Sequence, residues 1–147
     1  MIQLELFDEL QTLFNKIILP KSVYDELSVI QTQKEKIDNC SWITVKRSRS
    51  FNQNHELLNM LDLGETEAVL LTIEMSADLL IIDEKKGRAI ATEKGLKIIG
   101  LIGILILLKR NGTIESLKPA IHKLTNEIGF RLSENLIKKV LEAVNEA

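Results

Sequence analysis

The sequence predicts an α/β fold built on a short parallel sheet, and three observations carry that prediction. Residues 79–82 (LLII) are apolar without alternation, which is typical of a strand buried on both faces of a parallel sheet. Helical patterns alternate with short strand patterns along the chain. Asp83 directly follows the apolar strand, at the carboxyl end where open α/β sheets bind their ligands. We therefore expect the chemistry of this protein at that end of the sheet.

Bulk composition is that of an ordinary globular protein. With 147 residues, 45% apolar and 27% charged, we expect a single domain over residues 1–147. A net charge of −2 neither requires nor excludes nucleic acid as a partner. The lone Cys40 excludes an internal disulfide and, with only two histidines, no zinc pattern is present. A single cysteine suits a reducing compartment, so we expect a cytoplasmic protein. The longest apolar run, 98–108, is too short to span a bilayer, so we expect no membrane association.

The first predicted helix and strand are followed by a helix that carries one candidate acidic residue, Glu26. Apolar residues at helical spacing predict a helix over 3–15, and a strand follows at 16–19. Pro20 suits the first turn of a helix that begins at about Lys21. The predicted inner face of that helix carries Val23, Leu27 and Ile30. Glu26 lies on it, close enough to the strand end to join a shared site, although a solvated helix glutamate would look the same.

A polar stretch and a basic stretch surround the second strand. Residues 31–40 are polar enough to predict a helix end and a loop, and 41–45 have the β-branched and aromatic content of a strand. Residues 46–50 (KRSRS) follow the carboxyl end of that strand. Lys46 and Arg47 are therefore candidate phosphate contacts, although short basic loops are more often only solvated.

A second candidate carboxylate opens the next long helix. A short helix is predicted at 55–61, and Gly64 is a plausible N-cap for the helix that follows. Glu65 and Glu67 lie in its first turn, where the helix dipole favours negative charge. Glu67 is thus either a site residue or only a helix-start residue.

Cations follow Asp83. Lys85, Lys86 and Arg88 either attract phosphate beside a metal site or balance charge at a helix start. Gly95 is placed to end that helix.

The remaining elements are one strand and three helices. A strand at 96–99 leads into an apolar helix that runs to about Lys109. A helix over 114–128 stops at Gly129, and Ser133 is placed to cap a last amphipathic helix.

Several segments together resemble the PIN domain. They are VYDEL after a strand that ends in proline, LGETEAVLLTIEMSADLLIIDEKKGRAIA, LKIIGLIGILILLKRNG and the closing GFRLSENLIKKVL. The resemblance is to a branch of predicted nucleic-acid-binding proteins related to VapC-type toxins. It implies a three-layer α/β/α fold and a metal-dependent ribonuclease, with carboxylates at the carboxyl end of the sheet holding Mg²⁺ or Mn²⁺. Glu26 of VYDEL, Glu67 of GETEA and Asp83 of LIIDE match three of the four acidic positions.

The sequence departs from this pattern at its start. Family members begin with a central strand that ends in an aspartate, and this chain has no counterpart. Either the true start lies upstream or the protein lacks the strand. In the second case we expect the two halves to close into a parallel sheet of about four strands, with dimerisation and weaker metal binding. Glu65 and Glu84 are candidates to replace the absent ligand.

Three hypotheses follow. The leading one is a Mg²⁺- or Mn²⁺-dependent endoribonuclease acting on RNA, the toxin of a toxin–antitoxin pair and a homodimer. The alternative is a non-catalytic degenerate PIN-like module for dimerisation or for binding an antitoxin-like partner. A flavodoxin-like or response-regulator-like domain is disfavoured, because no acidic pair follows a first strand and no Gly-rich phosphate loop is present.

Overall fold

The computed structural model describes residues 6–146, which form a mixed α/β fold with short parallel strands. The strands are β1 (Ile17–Pro20), β2 (Ile43–Lys46), β3 (Leu80–Ile81) and β4 (Ile98–Ile99). The α-helices are α1 (Leu10–Leu13), α2 (Lys21–Leu27), α3 (Gln31–Asp38), α4 (His55–Met60), α5 (Leu63–Glu74), α6 (Lys85–Glu93), α7 (Leu101–Arg110), α8 (Lys118–His122) and α9 (Glu134–Ala143). A 3₁₀ turn (Phe51–Gln53) and a π-helix (Lys123–Ile128) complete the described elements. The predicted fold class is confirmed.

The chain divides into two compact units. One unit is Lys16–Gly100, which holds the four strands described above. The other combines the segment before residue 16 with the chain from Leu101 onward, and its described elements are helical. The single domain over 1–147 stays a prediction.

The strands form two separate parallel pairs. In the first, Ile17 lies opposite Ile43, and in the second Leu80 lies opposite Ile98. No pairing joins β1 to β3 within residues 6–146, so the expected closure into one four-stranded sheet is wrong. Helix α5 contacts both β1 and β3. Contacts with this helix, rather than strand pairing, therefore link the two pairs within the unit.

Strand β3 is shorter and more exposed than expected. Leu80 and Ile82 are buried, but Ile81 between them is 39% exposed. The prediction that this strand is buried on both faces is wrong, because a run of apolar residues does not reveal which of its faces is covered. The buried cluster of this unit consists of Phe51, Leu57, Leu61, Val69, Leu70, Leu80, Ile82, Ile90 and Ala91.

Helix α2 begins where Pro20 predicts, but it ends earlier than expected. The N–H of Ser28 donates to the carbonyl oxygen of Tyr24 at 2.8 Å, and Ser28 Oγ donates to the same oxygen at 2.6 Å. Ile30 lies beyond this end and is 52% exposed. The assignment of Ile30 to the inner face is therefore wrong.

Helix α3 occupies a stretch for which a helix end and a loop were predicted, and that prediction is wrong. Side chains one turn apart pair along the helix, Gln31 with Glu35 at 3.0 Å and Lys34 with Asp38 at 2.7 Å. Such pairs stabilise a polar helix.

Helix α5 is capped by Asp62, so the prediction of Gly64 as the N-cap is wrong. Asp62 Oδ1 accepts the N–H of Glu65 at 2.7 Å, and Glu65 Oε1 accepts the N–H of Asp62 at 3.2 Å, which completes a capping box. An ideal Cβ built on Gly64 would lie 2.9 Å from Val23 Cγ2. Glycine at this position therefore permits the close approach of α5 to α2.

The remaining helix ends agree in part with the sequence. Gly95 and Gly129 follow helices with φ of +76° and +81°, as predicted, and Ser133 Oγ accepts the N–H of Leu136 at 3.1 Å. The predicted helix at 114–128 begins only at Lys118. Within the described part of the predicted helix 3–15 only Leu10–Leu13 is helical, and residues 3–5 lie outside the described range. No helix among residues 6–146 has the length and apolarity needed to cross a membrane.

Candidate carboxylate site at the strand ends

Glu67 is a fully buried carboxylate with 0% exposure. Its Oε1 accepts two hydrogen bonds from Ser22, one from the N–H at 2.8 Å and one from Oγ at 2.9 Å. Its Oε2 accepts the N–H of Ser48 at 3.0 Å. Ser22 comes two residues after β1 ends and Ser48 two residues after β2 ends. The carboxylate thus joins the carboxyl ends of two parallel strands, the edge where α/β sheets carry their sites.

The local sequence explains the bond to Ser22. The first N–H groups of a helix have no partner within the helix, and Pro20 at the N-cap of α2 provides no side-chain cap. Glu67 supplies the missing acceptor from another helix. A negative charge is also favoured at that end by the helix dipole.

Arg47 stands beside this carboxylate. Its Nη1 lies 3.8 Å from Glu67 Oε2, and its Nη2 lies 3.8 Å from Asp25 Oδ2. The guanidinium carbon lies 5.3 Å from the centroid of the Phe51 ring, within cation–π range. The residue predicted as a phosphate contact therefore faces two acidic side chains.

Glu74, which also lies on α5, accepts hydrogen bonds from residues of the basic segment 46–50. It accepts the N–H of Arg49 at 2.9 Å and Ser50 Oγ at 3.0 Å, and it also accepts a hydrogen bond from Ser48 Oγ. Burial raises the pKa of Glu74, but these three donors outweigh burial, and the net effect lowers its pKa.

The lowered pKa of Glu74 predicts a dependence of stability on pH. Because the folded-state pKa lies below the unfolded value, the stabilising effect is present above the unfolded pKa and is lost as the pH falls through the folded pKa. We expect Glu74→Gln to flatten the decline in free energy of unfolding between about pH 6 and pH 3, measured by urea denaturation. Exposed Glu93→Gln is the control, and an equal decline in wild type and Glu74→Gln would contradict the assignment.

Glu65 is a candidate to replace the absent ligand, but its Oε1 already accepts a hydrogen bond of the capping box. Its Oε2 is buried without a hydrogen-bond partner among the described residues. Burial raises its pKa, and the charges of Asp62 and Glu84 raise it further.

Asp83 is exposed just beyond β3, in the neighbourhood of Arg88 and Gly100. An ideal Cβ built on Gly100 would lie 2.9 Å from Asp83 Oδ1 and 2.5 Å from Arg88 Nη1. Glycine leaves the space that these two side chains use at the ends of β3 and β4. Lys85 and Lys86 are exposed in the first turn of α6.

The three predicted ligands have different surroundings. Glu67 contacts Ser22, Ser48 and Arg47. Asp83 lies near Arg88 instead. Glu26 is exposed on α2. Within residues 6–146 no three His, Cys, Asp or Glu side chains are grouped so that they could hold a metal ion. The assignment of Glu26, Glu67 and Asp83 as one site therefore stays a prediction.

The carboxylate oxygens can be compared with the ligands that a divalent metal ion prefers. Carboxylate oxygens suit Mg²⁺ and Mn²⁺, and each such oxygen has two acceptor directions. Both are used at Glu67 Oε1, whereas Oε2 accepts one hydrogen bond. Glu67 by itself therefore offers a cation a single oxygen direction, at Oε2, and the Arg47 guanidinium already lies 3.8 Å from that oxygen.

Three residues of this network were not singled out in the sequence: Ser22, Ser48 and Glu74. One signal was present, because Glu74 follows Glu67 by seven residues and so shares its helix face. The serines carry no comparable local signal.

A comparison with protein-family models places the chain in a known family. A family model described as DUF3368, PIN domain, matches residues 1–146. No curated protein and no solved structure gives a significant match.

Proposed function

The chain belongs to the PIN domain family, and from this premise we propose that it is a metal-dependent endoribonuclease, the toxin of a toxin–antitoxin pair. The family supports a nuclease-like fold, nucleic-acid binding and use of a divalent metal. The observation that carries the finer proposal is the family match over residues 1–146, which contain all three predicted ligands. Mg²⁺ or Mn²⁺ is the proposed ion, RNA the substrate and an antitoxin the protein partner.

Each candidate residue has a proposed role. By the family resemblance Glu67, Asp83 and Glu26 would hold the metal, which when bound would lower the pKa of a water and offset negative charge on phosphate. The exposed cations Lys85, Lys86 and Arg88 lie beside Asp83 in sequence, and they would attract the RNA backbone through its phosphates. Lys46, exposed at the end of β2, would act in the same way near Glu67.

The test is cleavage of a fluorescent single-stranded RNA by the chain with Mn²⁺, with Mg²⁺ and with EDTA. We expect cleavage with either ion and none with EDTA. Cleavage that persists in EDTA, or no cleavage with millimolar metal, would contradict the proposal.

A second candidate is a non-catalytic module that forms a homodimer, and a specific surface favours it. Val29 and Ile30 adjoin in the turn between α2 and α3, and Val29 is 85% exposed. Adjacent exposed apolar side chains supply contact area for association, whereas single ones are common on every protein surface. In this reading the hydrogen bonds of Glu67 serve stability alone.

We expect the variant with Val29→Asp and Ile30→Asp to be monomeric where the wild type is dimeric, measured by light scattering coupled to size exclusion. Two buried charges in the interface would cost far more than the apolar contacts contribute. Ile73→Asp, at another exposed apolar position of the same unit, is the control and should leave the dimer intact. A monomeric wild type at about 100 µM would contradict this candidate.

A further inference from the structure

The basic segment 46–50 carries two arginines whose surroundings differ. Arg47 lies between two carboxylates, with Nη1 3.8 Å from Glu67 Oε2 and Nη2 3.8 Å from Asp25 Oδ2. Both of its terminal nitrogens therefore face acidic oxygens. Because opposite charges at this separation attract each other, a phosphate would have to compete with two carboxylates for this guanidinium.

Arg49 lies two residues further along and is far more exposed. Its side chain is 88% exposed, compared with 48% for Arg47. Within residues 6–146 its one ion pair runs from Nε to Glu74 Oε1, which are 3.9 Å apart. The two nitrogens of the terminal fork, Nη1 and Nη2, make no ion pair with those residues. Such a fork matches two oxygens of a phosphate, so Arg49 offers a phosphate a bidentate contact.

The backbone that carries Arg49 is fixed, although the side chain is exposed. Glu74 Oε1 accepts the N–H of Arg49 at 2.9 Å, and Glu74 Oε2 accepts Ser50 Oγ at 3.0 Å. Ser48, the preceding residue, donates its N–H to the buried Glu67 at 3.0 Å. Three consecutive residues are thus tied to carboxylates of α5. Because a fixed backbone loses little conformational entropy when a ligand binds, the segment is suited to present the arginine to a ligand.

We propose that Arg49 binds a backbone phosphate of the RNA and that Arg47 does not, an inference that rests on the substrate of the function proposed above but needs no metal ion. The segment follows the carboxyl end of β2, the edge of a sheet where α/β proteins bind their ligands. Arg47 compensates the buried Glu67 and so stabilises the fold. Arg49 holds the substrate, at a phosphate and therefore without regard to RNA sequence.

The experiment measures binding of a fluorescent single-stranded RNA by anisotropy, in EDTA so that no divalent metal takes part, at salt concentrations from ~50 to ~200 mM. The wild type is compared with Arg49→Gln, Arg47→Gln and Lys94→Gln. Lys94 is exposed at the end of α6, so its replacement removes one positive charge outside the basic segment.

We expect Arg49→Gln to bind this RNA about 3–10-fold more weakly at ~50 mM salt, with a slope of log K against log salt that is shallower by about 0.7, the contribution of one phosphate of a single strand. Arg47→Gln and Lys94→Gln should stay within about twofold, because charges that do not contact the RNA are largely screened. Thermal melting should show the reverse order for the arginines, with a lower melting temperature for Arg47→Gln and little change for Arg49→Gln.

Two further comparisons identify the group that Arg49 contacts. Arg49→Lys keeps the charge but not the fork, so it should retain the salt slope and recover only part of the affinity. A slope as shallow as that of Arg49→Gln would overturn the phosphate contact. A DNA strand of the same sequence carries the same phosphates, so Arg49→Gln should weaken its binding by a similar factor. A loss with RNA alone would also overturn the contact, because the 2′-hydroxyl would then be the group recognised.

The outcomes separate this inference from the proposed function. Equal RNA binding by wild type and Arg49→Gln, or no binding by the wild type at about 100 µM protein, would overturn the role of Arg49 even if the wild type cleaves RNA with Mn²⁺. An equal loss in Arg47→Gln would overturn the division of roles. The expected loss in Arg49→Gln, in a chain that cleaves no RNA with metal, would support the phosphate contact and contradict the nuclease.

Discussion

Replacing Glu67 with alanine is expected to lower the free energy of unfolding by about 2–4 kcal/mol, because it removes the acceptor of three hydrogen bonds in the interior of the protein. The carboxylate accepts two hydrogen bonds from Ser22 and one from Ser48. Alanine would leave the N–H groups of both serines without an acceptor and Arg47 without one of its two acidic partners. Each unsatisfied buried donor costs about 1–3 kcal/mol.

The matched control is Glu26→Ala, at an exposed predicted ligand position. We expect that change to stay within about 0.5 kcal/mol, as for most surface substitutions. Urea denaturation of both variants and the wild type gives the comparison. Similar losses for the two variants would contradict the structural role assigned to Glu67.

Asp83→Asn is expected to abolish Mn²⁺-dependent RNA cleavage, with a loss of about 100-fold or more. Replacing even an outer partner of a metal ligand commonly costs about 10–100-fold, and Asp83 is proposed as a ligand itself. Asparagine keeps the size of the side chain but replaces a charged oxygen with an NH₂ group, which cannot bind a cation. Because Asp83 is exposed, we expect the melting temperature to change little.

Asp78→Asn is the control for this experiment. Asp78 is an exposed carboxylate that precedes β3 by two residues, and no role in the site is proposed for it. Cleavage should be unchanged in that variant. Undiminished cleavage by Asp83→Asn would remove Asp83 from the site.

The candidate site could be predicted from sequence only as far as residue identity. The GETEA segment pointed to Glu67 and the residue after the apolar strand pointed to Asp83. Neither segment indicates that Glu67 is completely buried or that its partners are Ser22 and Ser48, which lie 45 and 19 residues away. These contacts depend on how two strand ends and one helix meet, and that arrangement leaves no local pattern.

Arg47 illustrates the same limit of sequence-based prediction, in this case for the charged groups that surround a residue. A basic run after a strand is compatible with a phosphate contact, but the sequence does not show which acidic side chains lie near it. In the structure these are Glu67 and Asp25, carried by α5 and α2.

The sequence by itself determined the α/β class, the four short strands, the start of α2 after Pro20 and the glycines that end helices, because backbone preferences and apolar patterns are local properties. Only the tertiary structure decided that the strands form two separate pairs, that Ile81 is partly exposed and that Glu67 is buried among protein donors. Strand pairing and burial depend on which distant segments come together, and identical local patterns are compatible with several such arrangements.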